Sequence, residues 1–416
     1  MQDVTTNGDF TLRTIPVGLT PIAVAATSKV NGVAVAPDLA VSNNDDNTVT
    51  YLKNSGAGQF TATTLNAGCG PSTLFFADLH DNLKLTSPTD GDLVVVNTAL
   101  ASCTGDNITV WLNAGSSSPV RTDYTLPNVA PIVQVSALDM NGDGYLDLVV
   151  TMLTVNQVVV LLNDGTGNFT NTAVTNLTRV PNQFVSGDFN GDGFADLALT
   201  APGNSSVVVL LGDGTGLFRS VQDLGVDATP GAIAAADLNG DGNPDLVALS
   251  HGVSGANFLQ GNGAGSFFPF FNTPIPMNSN PQFMVLGRFS AGPYPGMAAV
   301  HPGFSDTSVF HNESTPSVFS AIEVIVSTPD DPQGIAEGHF ANTATLDLVV
   351  PERHRRLIYV LKGDGTGNFS VSQIALTVQT QAPLTFKLTG PGEVYDDVAL
   401  VEPLDGTLLL LQNTHN

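Results

Sequence analysis

The sequence predicts an all-β chain folded as an eight-bladed β-propeller, each blade a four-stranded antiparallel sheet. Three observations carry this. A unit of about fifty residues recurs along the whole chain, as in repeat architectures built from one supersecondary motif. Its apolar runs are short, β-branched and bounded by Gly, Asn and Asp, with no sustained helical period. The two ends also look complementary, the last unit lacking an outer strand that the first residues can supply.

The unit starts fall at Pro21, Pro71, Pro131, Pro181, Pro230, Pro281, Pro332 and Pro383. The third unit shows the pattern whole. Pro131 opens a short apolar run that ends in an acidic loop, Asp139–Asp147, and Leu148-Val149-Val150 follows. After a polar turn come Val158–Leu162 and then Asn163-Asp164-Gly165-Thr166-Gly167-Asn168-Phe169, a Gly-x-Gly-x-Phe turn. Four short strands per unit is the pattern of a propeller blade. The eighth unit stops after Thr407–Leu411, without its Gly-x-Phe turn or outer strand. Residues 1–20, with Asn7-Gly8-Asp9-Phe10 and Thr11–Ile15, are expected to complete that blade and remove two open edges. The chain is therefore expected to be one propeller domain over 1–416. A count of seven blades follows if a degenerate unit, the sixth or the eighth, is not a blade.

Composition agrees with short strands joined by many turns. Of 416 residues, 42% are hydrophobic and only 12% charged, with 42 Gly and 26 Pro. Lys and Arg number 13 against 38 Asp and Glu, for a formal charge of −25. So acidic a chain is not drawn to nucleic acid or to an anionic membrane surface, and no stretch approaches the ~20 apolar residues of a membrane span. The run from Ile15 to Ala26 is broken by Pro16, Gly18 and Pro21. No signal peptide is present, and Met1-Gln2-Asp3 fits an initiator Met set before a processed chain.

The sharpest chemistry lies in three copies of Asp-x-Asn-x-Asp-Gly-x-x-Asp, at Asp139–Asp147, Asp188–Asp196 and Asp237–Asp245. Side-chain oxygens at positions 1, 3, 5 and 9, with a backbone carbonyl at position 7, suit a hard cation that takes about 6–8 oxygens, namely Ca²⁺. Gly at position 6 permits the sharp turn. The EF-hand loop shares the early spacing but ends in Glu at position 12 between helices; here the last ligand is Asp at position 9 and the flanks are strands. Four side chains and a carbonyl nearly fill the shell, whereas a catalytic metal keeps a position open. The three ions are therefore expected to be structural, pinning carboxylates that would otherwise repel. Calcium of this kind fits an exported or cell-surface protein, where the ion is abundant.

The repeat resembles the FG-GAP, or VCBS, repeat of integrin α-subunit propellers and of bacterial secreted proteins. The resemblance spans essentially the whole chain and rests on the three acidic loops and on the turns at Gly165–Phe169, Gly214–Phe218, Gly263–Phe267 and Gly365–Phe369. It implies that Asp139, Asn141, Asp143 and Asp147, then Asp188, Asn190, Asp192 and Asp196, then Asp237, Asn239, Asp241 and Asp245 bind calcium in the loop joining a blade's first two strands. Tyr145, Phe194 and Asn243 would each give a carbonyl oxygen. The other units depart. Unit two keeps Asp78 and Asp92 but inserts a longer loop through Asp81 and Asp90, and its metal binding is an open question. Unit one keeps Asp38 and unit seven Asp347, with His339 at its first position; these lone Asp residues read as turn-formers. Units six and eight, with Arg288 and Lys387 at position 1, are expected to bind no calcium.

In the families resembled, ligands bind the face opposite the acidic loops, so a protein or glycan ligand is expected there. Two features map to it. Arg353-His354-Arg355-Arg356 holds three of the 13 basic residues. It reads either as a patch for a carboxylate, sulfate or phosphate, which Arg binds in bidentate fashion, or as a solvated turn offsetting Glu352. Cys69 and Cys103 read either as a disulfide clamping the longest loop of an exported protein or as reduced, buried thiols. His251, His301 and His354 fall in corresponding loops, as neighbours or as three separate surface residues.

Enzyme signatures are missing: there is no Gly-x-Ser-x-Gly elbow, no His-Glu-x-x-His and no phosphate-cradling Gly-Lys-Thr/Ser. The expected function is a non-enzymatic, calcium-stabilised extracellular binding or adhesion module, expected to be monomeric. The alternatives are a carbohydrate-binding lectin or a lyase-type polysaccharide enzyme. One Trp and six Tyr, with most of the 22 Phe at repeat positions, leave no recurring exposed aromatic for a sugar platform on every blade.

Overall fold

Strands such as Asp147–Met152, Asp196–Ala201 and Asp245–Ser250 are buried at every residue. Nearly continuous Val, Leu and Ala demand cover on both faces, which a single sheet cannot give. The chain solves this by standing its sheets side by side in a ring. The computed structural model describes residues 4–6, 10–27, 36–56, 58–80, 91–98, 107–127, 130–251, 255–270, 275–277, 280–303, 306–312, 321–327, 331–341, 345–376, 379–388 and 394–414.

Eight sheets form the ring, which settles the blade count at eight. Blade three is typical: Ile132–Leu138, Asp147–Met152, Gln157–Asn163 and Phe169–Asn176 pair antiparallel in chain order. Blade one runs Pro21–Ala26, Leu39–Asn43, Thr48–Asn54 and Phe60–Asn66. At most junctions the first strands of neighbouring blades touch around the axis, and that of blade one touches Gln381–Phe386 of blade eight. Outer strands face water and turn polar, as in Phe60–Asn66, where Thr61 to Thr64 are exposed.

Blade eight is completed by the N-terminus, as the sequence predicts. Phe10–Pro16 pairs antiparallel with Thr407–Asn413, from Phe10 opposite Asn413 to Pro16 opposite Thr407, and Val4–Thr6 adds beyond it. The core is correspondingly a ring of eight buried clusters, one at each interface between blades. Blades eight and one, for example, share Ile15, Leu39, Val41, Leu52, Phe386, Leu388, Leu408 and Leu410.

Loops sort to two faces. The acidic loop (strands one to two) and the Gly-x-Gly-x-Phe turn (strands three to four) share one. A Cβ on Gly165 would lie 2.7 Å from the Tyr145 ring, and one on Gly214 2.6 Å from that of Phe194, so the turn needs glycine where position 7 packs on it. Turns between strands two and three share the other face with the blade-to-blade connections. Leu153 N–H donates to Pro131 O, His251 N–H to Thr229 O, and Arg353 N–H to Asp331 O.

A buried carboxylate braces seven of the eight blades. Asp147 accepts the N–H of Met140 on Oδ2 (2.9 Å) and that of Asn163, at the end of the third strand, on Oδ1 (2.8 Å). Asp92, Asp196, Asp245, Asp347 and Asp397 repeat this pair of bonds. Asp38 takes the N–H of Asn54 and the hydroxyl of Tyr51 instead. The lone Asp38 and Asp347 are therefore not turn-formers. Their carboxylates lie inside the blade, 8% and 0% exposed, and tie its strands together. In blade six Gly296 leaves no carboxylate at this place.

Asp347→Ala tests the brace in a blade without an acidic loop. It strands the N–H groups of Phe340, Ala341 and Gly363, at an expected cost of about 2–5 kcal/mol in denaturant unfolding, with or without calcium. A loss below about 1 kcal/mol would show that water satisfies these donors and the brace is dispensable.

Candidate metal centres and the axial pocket

The three acidic loops have one geometry. Asp139 accepts the N–H of Gly142 on Oδ1 (2.7 Å) and of Gly144 on Oδ2 (2.9 Å); Asn141 Oδ1 accepts from Asp143 N–H (3.0 Å), and Asp143 Oδ1 from Tyr145 N–H (2.9 Å). Asp188, Asn190 and Asp192, and Asp237, Asn239 and Asp241, repeat these bonds. Positions 4 and 6 both lie at positive φ: +73° and +88° at Gly142 and Gly144, +74° and +87° at Gly191 and Gly193, +74° and +86° at Gly240 and Gly242. The sequence pattern pointed only to position 6; the Gly common to all three copies at position 4 was the available signal.

The loops offer carboxylate and amide oxygens and no nitrogen or sulfur ligand, a donor set for a hard cation. Asp147 and Asp245 sit at the base with carboxyls pushed up to about 6 from the usual 3.8, by burial first, with the charges of Asp143 and Asp139, or of Asp241 and Asp237, adding to it. Asp196 is raised for the same reasons. Each base oxygen holds one N–H and keeps a lone pair for another partner. In blade two, Asp78, His80 and Asp92 bring their ligand atoms within 4.8 Å of one another.

The other sequence candidates fall into distinct environments. Arg353 to Arg356 form the exposed turn between the second and third strands of blade seven. The turn is anchored beneath by the buried Glu352, which accepts the N–H groups of His354 (2.9 Å) and Arg355 (2.6 Å). Arg353 and His354 pair with Asp331 at 3.2 and 3.1 Å, so part of the turn's charge is already matched. The three histidines do not share a surface site. His301 is fully buried with Nε2 3.1 Å from Ser308 Oγ, His251 is half-buried against Gly231 and held below its ordinary value by burial, and His354 is exposed. Cys69 is disulfide-bonded, and Cys103, the chain's other cysteine, lies outside the described residues.

A cavity of about 480 Å³ opens on the axis, among the first strands of blades four to eight. Gln183, Gln282, Gln333 and Gln381 line it, with Phe283, Met284, Ile335 and several small residues. Gln333 Nε2 donates to Asp331 Oδ1 (3.0 Å), the carboxylate that pairs with Arg353, so the Arg turn is tied to the cavity rim. The lining residues lie where the first strands begin, which is the face opposite the acidic loops. Sequence reading passed over these glutamines. Their signal is a carboxamide within a few residues of the unit's opening Pro, as in Pro281-Gln282 and Pro332-Gln333.

A family model of FG-GAP-like repeats matches residues 139–199 and 188–248. No curated protein matches the chain by sequence. Among solved structures, the chain is similar in fold to Saccharomyces cerevisiae Sqt1, with a TM-score of 0.62 at 12% identity, covering 96% of this chain and 98% of that one. It is also similar to an Agrocybe aegerita lectin described as recognising non-reducing terminal N-acetylglucosamine, with a TM-score of 0.52 at 16% identity over 94% of this chain and 99% of that one. BBS1N, solved in complex with ARL6DN, gives a TM-score of 0.51 at 12% identity over 96% and 95%. At such identities the likeness is one of fold. With eight blades around one axis and the matched segments written across blades three to five, the chain is an eight-bladed β-propeller that carries FG-GAP-like repeats in those blades.

Proposed function

We propose that this propeller is a non-enzymatic binding module, held rigid by calcium in the loops of blades three, four and five, with its ligand seated at the axial mouth on the opposite face. The axial cavity carries the reading. Its volume is that of a small-molecule site, and none of its lining residues ionises, so it offers no general acid, base or nucleophile for a lyase or hydrolase. Carboxamides both donate and accept hydrogen bonds, and Phe283, 40% exposed, offers a ring face. That combination suits a neutral, hydroxyl-rich ligand, of which a sugar residue is the simplest. One axial site also needs no aromatic repeated on every blade. The fold likeness to a lectin is in keeping with this reading, and the disulfide at Cys69 supports a protein working in an oxidising compartment outside the cell.

Binding is tested by screening the purified chain on a glycan array and titrating the hits calorimetrically. Gln282→Ala combined with Phe283→Ala is expected to weaken the hits at least ten-fold with the melting temperature nearly unchanged. Hits indifferent to both substitutions would move the site off the axis.

Calcium is tested by metal analysis and by melting at several pH values. About three ions per chain are expected, coordinated by the oxygens of positions 1, 3, 5 and 9. In the ion-free protein, the carboxyls of Asp147 and Asp245 titrate near 6 when folded and near 3.8 when unfolded. Their raised values contribute stability that is complete below pH ~4 and lost as pH rises through ~6. Chelated protein should therefore lose melting temperature from pH 4 to 7, while excess calcium, which needs ionised carboxylates, should restore most at pH 7. Equal melting curves with calcium and with chelator at pH 7 would refute a structural ion.

A further inference from the structure

The blade-two loop carries a histidine at the third position of the acidic-loop pattern and a longer insertion before its last Asp, and the histidine changes its chemistry. Asp78-Leu79-His80 stands where blade three has Asp139-Met140-Asn141, and Asp92 takes the brace position of Asp147. Among the described residues, Asp78, His80 and Asp92 are the one trio of potential ligands whose atoms all lie within 4.8 Å of one another. His80 Nδ1 is 2.8 Å from Asp92 Oδ2. Asp92 is 1% exposed, and the N–H groups of Leu79 (2.8 Å) and Asn113 (2.9 Å) fix its orientation. Asp78 Oδ1 is shielded from water and has no hydrogen-bond partner. A carboxylate oxygen left so is costly unless something positive or protonated meets it. The Asp78 carboxylate lies beside an imidazole and a second carboxylate.

We propose that Asp78, His80 and Asp92 bind a divalent transition-metal ion of the zinc class. Calcium takes oxygen ligands and gains little from imidazole, while zinc accepts imidazole nitrogen and carboxylate oxygen together. Zinc bonds of about 2.0–2.2 Å in a tetrahedron set ligand atoms roughly 3.4 Å apart, so the ion replaces the direct 2.8 Å His80–Asp92 contact, that pair opening slightly around it. Three protein ligands leave the fourth position to water. The backbone N–H groups of Leu79 and Asn113 hold Asp92 from behind, as outer partners hold a ligating carboxylate. The Asn113 amide, whose Nδ2 lies 3.3 Å from His80 Nε2, meets the far side of the ring and can serve it as acceptor or donor. The site is independent of the calcium reading for blades three to five, because it uses a different donor set in a different blade.

The test is isothermal titration of the full chain with Zn²⁺ in saturating Ca²⁺, followed by the same titration of His80→Ala, Asp78→Asn and His80→Asn. One zinc ion per chain is expected in competition with calcium, with affinity at least ten-fold weaker in the first two variants. His80→Asn recreates the Asp-x-Asn of the acidic loops and is expected to weaken zinc while sparing the fold. Melting temperature and circular dichroism identify any variant that fails to fold, and Asp78→Asn, at a half-buried position with no brace role, keeps the test open if His80→Ala does. Failure of the native chain to bind zinc in the presence of calcium would overturn the proposal. So would zinc affinity that survives both His80→Ala and Asp78→Asn in folded protein.

Discussion

The ring depends on what happens at position 2 of each inner loop. In blades two to eight the residue there is a large apolar side chain, Leu79, Met140, Phe189, Leu238, Phe289, Phe340 or Leu388, each no more than 2% exposed. Its side chain fills the seam between blades, so its peptide group is out of reach of water, and both ends must find partners. In most blades the N–H goes to the blade's own buried Asp. The C=O goes to the next blade: Leu79 O to Asn163 Nδ2 (2.7 Å), Leu238 O to Asn312 Nδ2 (2.7 Å), Phe340 O to Asn413 Nδ2 (2.9 Å) and, across the closure of the ring, Leu388 O to Asn54 Nδ2 (2.9 Å). Where the next blade carries Gly in place of Asn, a backbone N–H substitutes, as Gly216 does for Met140 O and Gly265 for Phe189 O. One peptide group thus links the strands of a blade to each other and that blade to its neighbour.

This knot explains why the position-9 Asp outlasts the rest of the acidic loop. In blades seven and eight the Asn of position 3 and the Asp of position 5 are replaced, yet Asp347 and Asp397 remain. The outer-loop side chains of blades three and four are partly or fully exposed, so losing their oxygens leaves no deeply buried donor unmet. Losing the base Asp strands buried N–H groups, each a penalty of about 1–3 kcal/mol. The brace is the stronger constraint in energetic terms, and the acidic loop lies on its outer side. Blade two shows a third state of the same scaffold, with the brace kept and an imidazole added beside it.

How much was legible follows from where partners lie in the chain. The acidic loops satisfy themselves within a few residues, Gly142 and Gly144 donating back to Asp139, and so leave a local pattern that repeats. The opening prolines and the Gly-x-Gly-x-Phe turns are local in the same way, and with them came the blade count and the closure by the N-terminus. The brace joins Asp147 to Asn163, and the strut joins Asn163 to Leu79 in another blade. Lone residues at such separations carry no periodic mark, which is why Asp38 and Asp347 resembled turn-formers. His301 resembled a surface residue because its loop position is polar in most units, while its ring turns inward to Ser308. The axial glutamines were hidden because their cavity exists only once five blades converge.

The placement of charge separates the two faces. The three acidic loops concentrate carboxylates on the face shared with the Gly-x-Gly-x-Phe turns, and there a cation is the complementary partner. The axial mouth opens on the other face, its lining is uncharged, and the Arg353–Arg356 turn near its rim is engaged in part by Asp331. Screening over the thickness of the disc leaves little direct coupling between a cation on one face and a neutral ligand on the other, since the Debye length is about 8 Å at physiological salt. What remains is mechanical. The glutamines sit at the start of first strands whose far ends enter the inner loops, so fixing those loops fixes the spacing of the carboxamides. Calcium would then act on ligand affinity only by limiting how far the first strands of blades four and five can shift, and blades six to eight, which supply Gln282, Gln333 and Gln381, would hold their geometry through braces and packing alone.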